Sequence, residues 1–228
     1  MSFWEVTLFL LDGFAVTCWL FFLTLLFSLP LGLIICAGTM TKIKPIRYIM
    51  KIFVWIIRGV PLMLQLFIVF YVPGMLFDIQ IPDLVINLFG KELEISSRFI
   101  SALIAFSINY ACYFSEIYRG GIESISHGQY EAGQVLGMTR MQIFFRIILK
   151  QVIKRIIPPI SNEVITLVKD TALARVIAVV EIIKLAEQLA SRALLWPLFY
   201  TGAFYLIFVG LLTILFNRIE KKLDYFKA

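Results

Sequence analysis

Residues 13–38 read GFAVTCWLFFLTLLFSLPLGLIICAG, without one charged side chain. A helix rising 1.5 Å per residue needs about 20 apolar residues to cross roughly 30 Å of hydrocarbon, and this stretch is long enough. Three further charge-free stretches follow, at residues 59–77, 99–115 and 193–217. Of the 228 residues, 61% are hydrophobic and 16% charged, against about 25% charged in a soluble domain. A soluble chain this short has no interior able to hide so much apolar surface, so lipid must solvate these faces. The expected fold class is an all-α integral membrane protein, with residues 1–228 forming a single transmembrane domain.

Several function classes drop out. The net charge of +6 comes from basic residues placed between the apolar stretches, which fits orientation in a bilayer and not nucleic-acid binding. Cys18, Cys36 and Cys112 all lie in apolar stretches and are odd in number, so they read as packing residues and not as disulfides or metal ligands. His127 is the single histidine; it excludes a multi-histidine metal site and reads as a surface residue. Neither a His-Glu-x-x-His helix nor a Gly-x-Ser-x-Gly elbow occurs, so no catalytic residue is expected. The opening Met-Ser-Phe-Trp-Glu has no basic segment, and no cleaved leader is expected.

Charge placement predicts the topology. Glu5 and Asp12 precede the first stretch, whereas Lys42, Lys44, Arg47 and Lys51 follow it. The positive-inside rule therefore puts the N-terminus outside and the first loop in the cytoplasm. Asp78, Asp83, Glu92 and Glu94 outnumber Lys91 and Arg98 after the second stretch, which suits an external loop. Arg119, Arg140, Arg146, Lys150, Lys154 and Arg155 follow the third, and Arg218, Lys221, Lys222 and Lys227 mark a cytoplasmic tail. That arrangement needs an odd number of crossings. The missing one falls between Arg155 and Arg192, in two pieces: residues 156–168, which contain Glu163, and residues 171–180, with Lys169 and Asp170 between them. The expectation is a five-crossing core whose fourth crossing is polar and interrupted, because irregular backbone at depth is tolerated only where it faces protein or a cavity.

The cytoplasmic loop, about residues 120–152, contains Gly128-Gln-Tyr-Glu-Ala-Gly-Gln-Val-Leu-Gly137. Residues 129–136 suit a short helix, and Gly137 suits its left-handed cap. A second amphipathic run follows, with Met141, Phe144, Phe145 and Ile148 expected on one face. By physics alone, a short helix ending at glycine is either a connector or a docking site.

The segment Glu131-Ala-Gly133 with Gly137, followed by the Ile-Ile-Leu run ending at Leu149, resembles the EAA loop of ATP-binding-cassette importer permeases. Three more segments resemble the polar amino acid uptake branch of that family: Arg58-Gly-Val-Pro-Leu-Met-Leu-Gln65, Ser115-Glu-Ile-Tyr-Arg-Gly-Gly-Ile122, and Asn162-Glu-Val-Ile-Thr-Leu-Val-Lys-Asp-Thr-Ala-Leu173. Gly133, Lys150 and Ala172 depart from the family's usual alanine, proline and serine. The resemblance implies a multi-pass permease of the bacterial inner membrane that forms the translocation pathway. It implies that Tyr130, Glu131, Ala132, Gly133, Leu136 and Gly137 dock a cytoplasmic ATPase dimer, which binds ATP and Mg. It further implies a second permease copy, identical or related, and an extracytoplasmic amino acid-binding protein. This chain itself has no Gly-x-x-x-x-Gly-Lys-Ser/Thr loop, so no cofactor is expected on it.

Charged groups at membrane depth cost roughly 2.5–3.5 kcal/mol each on insertion scales and usually face a cavity or a partner. Glu163, Thr166 and Asp170 recur at i, i+3 and i+7 and share one helical stripe; Asn162 adjoins it. They read either as a polar lining for substrate or as a structural ion pair with Arg58, Lys169 or Arg175. Arg58-Gly-Val-Pro61 interrupts the second stretch, so that Leu62 and Met63 begin a half-helix and offer backbone N–H groups to a carboxylate; a packing kink is the alternative. A channel or facilitator that needs no ATPase is the competing class, and it leaves the glycine-punctuated loop unexplained.

Overall fold

A computed structural model describes residues 2–88 and 91–223; Lys227 of the basic tail lies outside the described residues. Helix α1 (Phe3–Met40) opens with a capping box, in which Ser2 Oγ accepts the Glu5 N–H and Glu5 Oε2 accepts the Ser2 N–H. Its 38 residues reach about 57 Å, well beyond the hydrocarbon thickness. Helix α4 (Ser97–Glu123) packs extensively on α1, and Gly32 of α1 allows that approach, since a Cβ there would stand 3.0 Å from Phe114 Cβ and 3.1 Å from Ala111 O. Helices α1, α4 and α9 (Trp196–Leu223) are each long and apolar enough to cross a bilayer.

Helix α2 (Lys44–Gly59) corrects the expectation of a loop at Lys44, Arg47 and Lys51. Lys44, Arg47, Lys51 and Arg58 recur at i, i+3, i+7 and i+14, forming one narrow stripe on a helix with Pro45 in its first turn. The chain then bends by 106° into α3 (Leu62–Phe77), and the two helices are long and apolar enough to cross a bilayer only as a bent pair. The loop between α3 and α4 departs from the all-helical expectation, because Leu84–Leu88 (β1) pairs antiparallel with Lys91–Ile95 (β2). Val85 and Ile86 of β1 suit a pleated surface, whereas Lys91, Glu92 and Glu94 of β2 are residue types uncommon in strands. At the base of this hairpin the Ser97 N–H donates to Asp83 Oδ1 at 2.5 Å, which holds the Asp83 carboxyl below the ordinary carboxylate range.

Between α4 and the end of the chain come α5 (His127–Val135), the single turn α6 (Arg140–Ile143), a π-helical turn (Phe144–Ile148) and α7 (Leu149–Asp170). The π turn corrects the amphipathic face drawn above. Leu149 N–H bonds Phe144 O, so residues five apart coincide. Ile143 and Ile148 are buried with Val152, while Met141 and Phe145 are exposed. Helix α7 tightens at Thr171 into a 3₁₀ segment (Thr171–Ile177) and reverses at Ala178, where φ is 60°. This change of helix type falls where the sequence placed the interruption. Helix α8 (Ile182–Ala190) then packs beside Val6 and Leu10 of α1. The main core joins α1, α3, α4, α7 and the 3₁₀ segment through Leu20, Phe21, Leu66, Phe106, Leu167 and Ile177.

Candidate functional site

Where α2 gives way to α3, a cavity of about 500 Å³ opens towards α4 and α7. Arg58, Gly59, Val60, Pro61 and Leu62 form one wall, and Glu163, Thr166 and Asp170 form the opposite one. The stripe drawn from the sequence therefore faces one space, together with the interrupted helix. Asn162 and Met63 are exposed and do not line it. Each is one residue from a lining position, which turns it about 100° around its helix.

Each side of the cavity is braced by α4. Pro61 is the N-cap of α3, and its carbonyl accepts the Leu64 and Gln65 N–H groups. The first N–H groups, Leu62 and Met63, have no acceptor within their own helix, as at any helix start. Gln65 stitches the bend: its Nε2 donates to Ile57 O at 2.7 Å and to Val60 O at 2.9 Å, and its Oε1 accepts from Asn109 Nδ2 at 3.2 Å. One residue along α4, the buried Tyr110 donates its hydroxyl to Asp170 Oδ2 at 2.7 Å. Thr166 donates its hydroxyl to Asn162 O, leaving the oxygen available as an acceptor.

Among the described residues no direct ion pair joins Arg58, Lys169 or Arg175 to Glu163 or Asp170, although Arg58 stands near Glu163 and Lys169 near Asp170. Arg58 sits 3.6 Å from Glu116 and stacks over Tyr113 at 5.0 Å. Arg175 pairs with Glu187, and Lys169 is exposed. Glu116 also binds Arg119, which reaches Glu123 near the end of α4. Sequence reasoning missed Asn109, Tyr110 and Tyr113, because they lie inside residues 99–115 and were counted as part of an apolar span. Their polar tips at i, i+1 and i+4, followed by Glu116 at i+7, are the signal that was present.

The second candidate region is α5. It ends in a Schellman arrangement: Met138 N–H bonds Gly133 O at 3.0 Å, Gly137 N–H bonds Gln134 O at 2.9 Å, and Gly137 has φ 70°. The helix and its glycine stop thus match the expectation. Glu131, Ala132, Leu136 and Gly137 are exposed, and Tyr130 is half-buried. Val135 is 88% exposed and Leu136 76%, an apolar tip that none of the described residues covers. Gly133 faces inward instead. A Cβ there would stand 2.6 Å from Ile143 Cγ1, so glycine at this position lets α5 lie against α6.

Residues 28–224 match the family of binding-protein-dependent transport system inner membrane components. The L-cystine transport system permease protein TcyB of Bacillus subtilis (strain 168) is 38% identical over 230 residues, covering 100% of this chain and 90% of its own. The arginine transport system permease protein ArtQ of the same organism is 33% identical, covering 94% of this chain and 92% of its own. Among solved structures, an amino acid ABC transporter crystallised with histidines superposes with a TM-score of 0.82 at 28% identity, over 96% of this chain and 95% of that one. The chain therefore belongs to the binding-protein-dependent transport system inner membrane components, as a permease subunit of an ATP-binding-cassette transporter in which ATP hydrolysis is the work of a separate subunit.

Proposed function

We propose that this permease carries an amino acid through the cavity between α3 and α7, driven by an ATPase docked on α5. The observation that carries the reading is the meeting of opposite charges across one space. Arg58 and the start of α3 face Glu163, Thr166 and Asp170. A zwitterion fits such a site with its carboxylate towards Arg58 and the helix start, and its ammonium towards the two acids. The volume of about 500 Å³ lies within the range of small-molecule sites and imposes no strict size limit. Two carboxylates facing one cavity favour a basic amino acid, with glutamine and cystine as alternatives. The relatives named for cystine and arginine transport support an amino acid cargo.

The exposed tip of α5, with Glu131, Ala132, Val135 and Leu136, offers the contact for the ATPase dimer, on which ATP and Mg reside. A second permease copy and an extracytoplasmic binding protein complete the assembly. Five crossings, with the N-terminus outside and the C-terminus in the cytoplasm, accommodate α1, the α2–α3 pair, α4, α7 with its 3₁₀ extension, and α9. In a background lacking the three native cysteines, Ser2→Cys and Lys227→Cys should react with an impermeant thiol reagent from opposite sides; labelling from the same side rejects this topology.

Glu163→Gln tests the pathway. Uptake of arginine, glutamine and cystine is measured in proteoliposomes at saturating binding protein. Loss confined to arginine supports a basic cargo recognised by its side chain. Equal loss of all three assigns Glu163 to the common ammonium or to structure, and unchanged uptake removes it from the pathway.

A further inference from the structure

We infer that Tyr110 is a specificity-determining positioning residue, which holds Asp170 by one oxygen and presents the other to the ammonium group of the cargo. The inference rests on the reading of the cavity as the amino acid pathway. A free carboxylate on α7 rotates about two side-chain bonds and meets a cation in many orientations. Tyr110 removes that freedom. Its ring is 2% exposed and fixed among Tyr113 and Phe114, and its hydroxyl donates to Asp170 Oδ2 at 2.7 Å. Both residues line the cavity, so the second carboxylate oxygen is the one available to a ligand. A charge-assisted bond of this length is strong and directional, and preorganised groups bind without first having to be ordered.

The position along α4 matters as much as the bond. Asn109, the preceding residue, holds Gln65, which in turn ties the α2–α3 bend. One turn of α4 therefore fixes the carboxylate-facing wall through Asn109 and the ammonium-facing wall through Tyr110. The distance between the two recognition elements is set by a continuous helix and not by either interrupted one.

The test is a double-mutant cycle on the complete transporter in proteoliposomes, with uptake of arginine, glutamine and cystine at saturating binding protein. The four proteins are the natural one, Tyr110→Phe, Asp170→Asn and the double variant. Removing a hydrogen bond to a charged group predicts a fall of about tenfold in Tyr110→Phe. Because Tyr110 acts through Asp170, the double variant should match Asp170→Asn alone. A purely structural tyrosine would give losses that multiply, and that result overturns the inference. Natural uptake in Tyr110→Phe beside a loss in Asp170→Asn overturns the inference and leaves the pathway standing. Natural uptake in Asp170→Asn overturns both. Should Tyr110→Phe fail to assemble, the double variant, which buries no unpartnered carboxylate, carries the comparison against Asp170→Asn: equal uptake supports the inference and lower uptake rejects it.

Discussion

The chain breaks twice beside the cavity: between α2 and α3 at Gly59, Val60 and Pro61, and after α7 through the 3₁₀ segment to Ala178. The first break is written into local chemistry. Glycine tolerates the end of a helix, and proline both withholds an N–H and fixes the φ that starts the next one. The second has no glycine or proline anywhere in residues 171–181. It is held by contacts from elsewhere, Tyr110 on Asp170 and Glu187 on Arg175, while the buried Glu181 starts α8 locally by capping the Ile183 and Lys184 N–H groups. A bend favoured by its own backbone persists when its neighbours move. A bend imposed by neighbours changes with them, so the α7 side is the wall of the cavity suited to move.

The largest effect is expected where the first break also leans on a neighbour. Gln65 is buried, and Gln65→Leu preserves the volume while leaving the carbonyls of Ile57 and Val60, and the Asn109 amide, short of a partner. Unsatisfied buried groups cost about 1–3 kcal/mol each, and partial solvation near the cavity reduces the sum to roughly 2–4 kcal/mol. Thermal unfolding of the purified complex measures it. A shift too small to detect would mean that Gly59–Pro61 alone maintains the bend, which sharpens the contrast; a large one shows that both breaks depend on α4.

The same contrast explains what was legible in the sequence. Gly-Val-Pro announces a break because its causes are local, and Gly137 announces the end of α5 for the same reason. The α7 break was found only from its charges, Glu163, Lys169 and Asp170, since a 3₁₀ segment held by tertiary contacts has no residue signature of its own. Tyr110 and Asn109 escaped because a hydroxyl and an amide weigh little in a stretch read for hydropathy, although they hold both walls. Helix α2 was lost by counting its basic residues as a loop before testing their period. The face around Ile143 and Ile148 was misdrawn because a π turn shifts the phase by one residue, and nothing in Phe144-Phe-Arg-Ile-Ile148 marks that turn.

The smallest effect isolates backbone strain, by exchanging residues between two matched positions. Gly137 and Ala178 both end helices in the left-handed region, at φ 70° and 60°. An alanine there costs about 1–2 kcal/mol relative to an unstrained position. Gly137→Ala meets no atom within 4 Å of the new Cβ, so its penalty, about 1 kcal/mol, is conformational alone. Ala178→Gly relieves the same strain but gives the unfolded chain more freedom, worth roughly 0.4–1 kcal/mol in the opposite direction, and the net gain should be about 0–1.6 kcal/mol. Unfolding midpoints of the two variants read these terms, and ATPase-coupled uptake reads their consequence. Loosening a break that tertiary contacts impose should alter transport more than stability, whereas Gly137→Ala should lower both through the end of α5. If Ala178→Gly leaves uptake unchanged while Gly137→Ala lowers it, the α7 break is as self-sufficient as the first one, and compliance must be sought elsewhere in the fold.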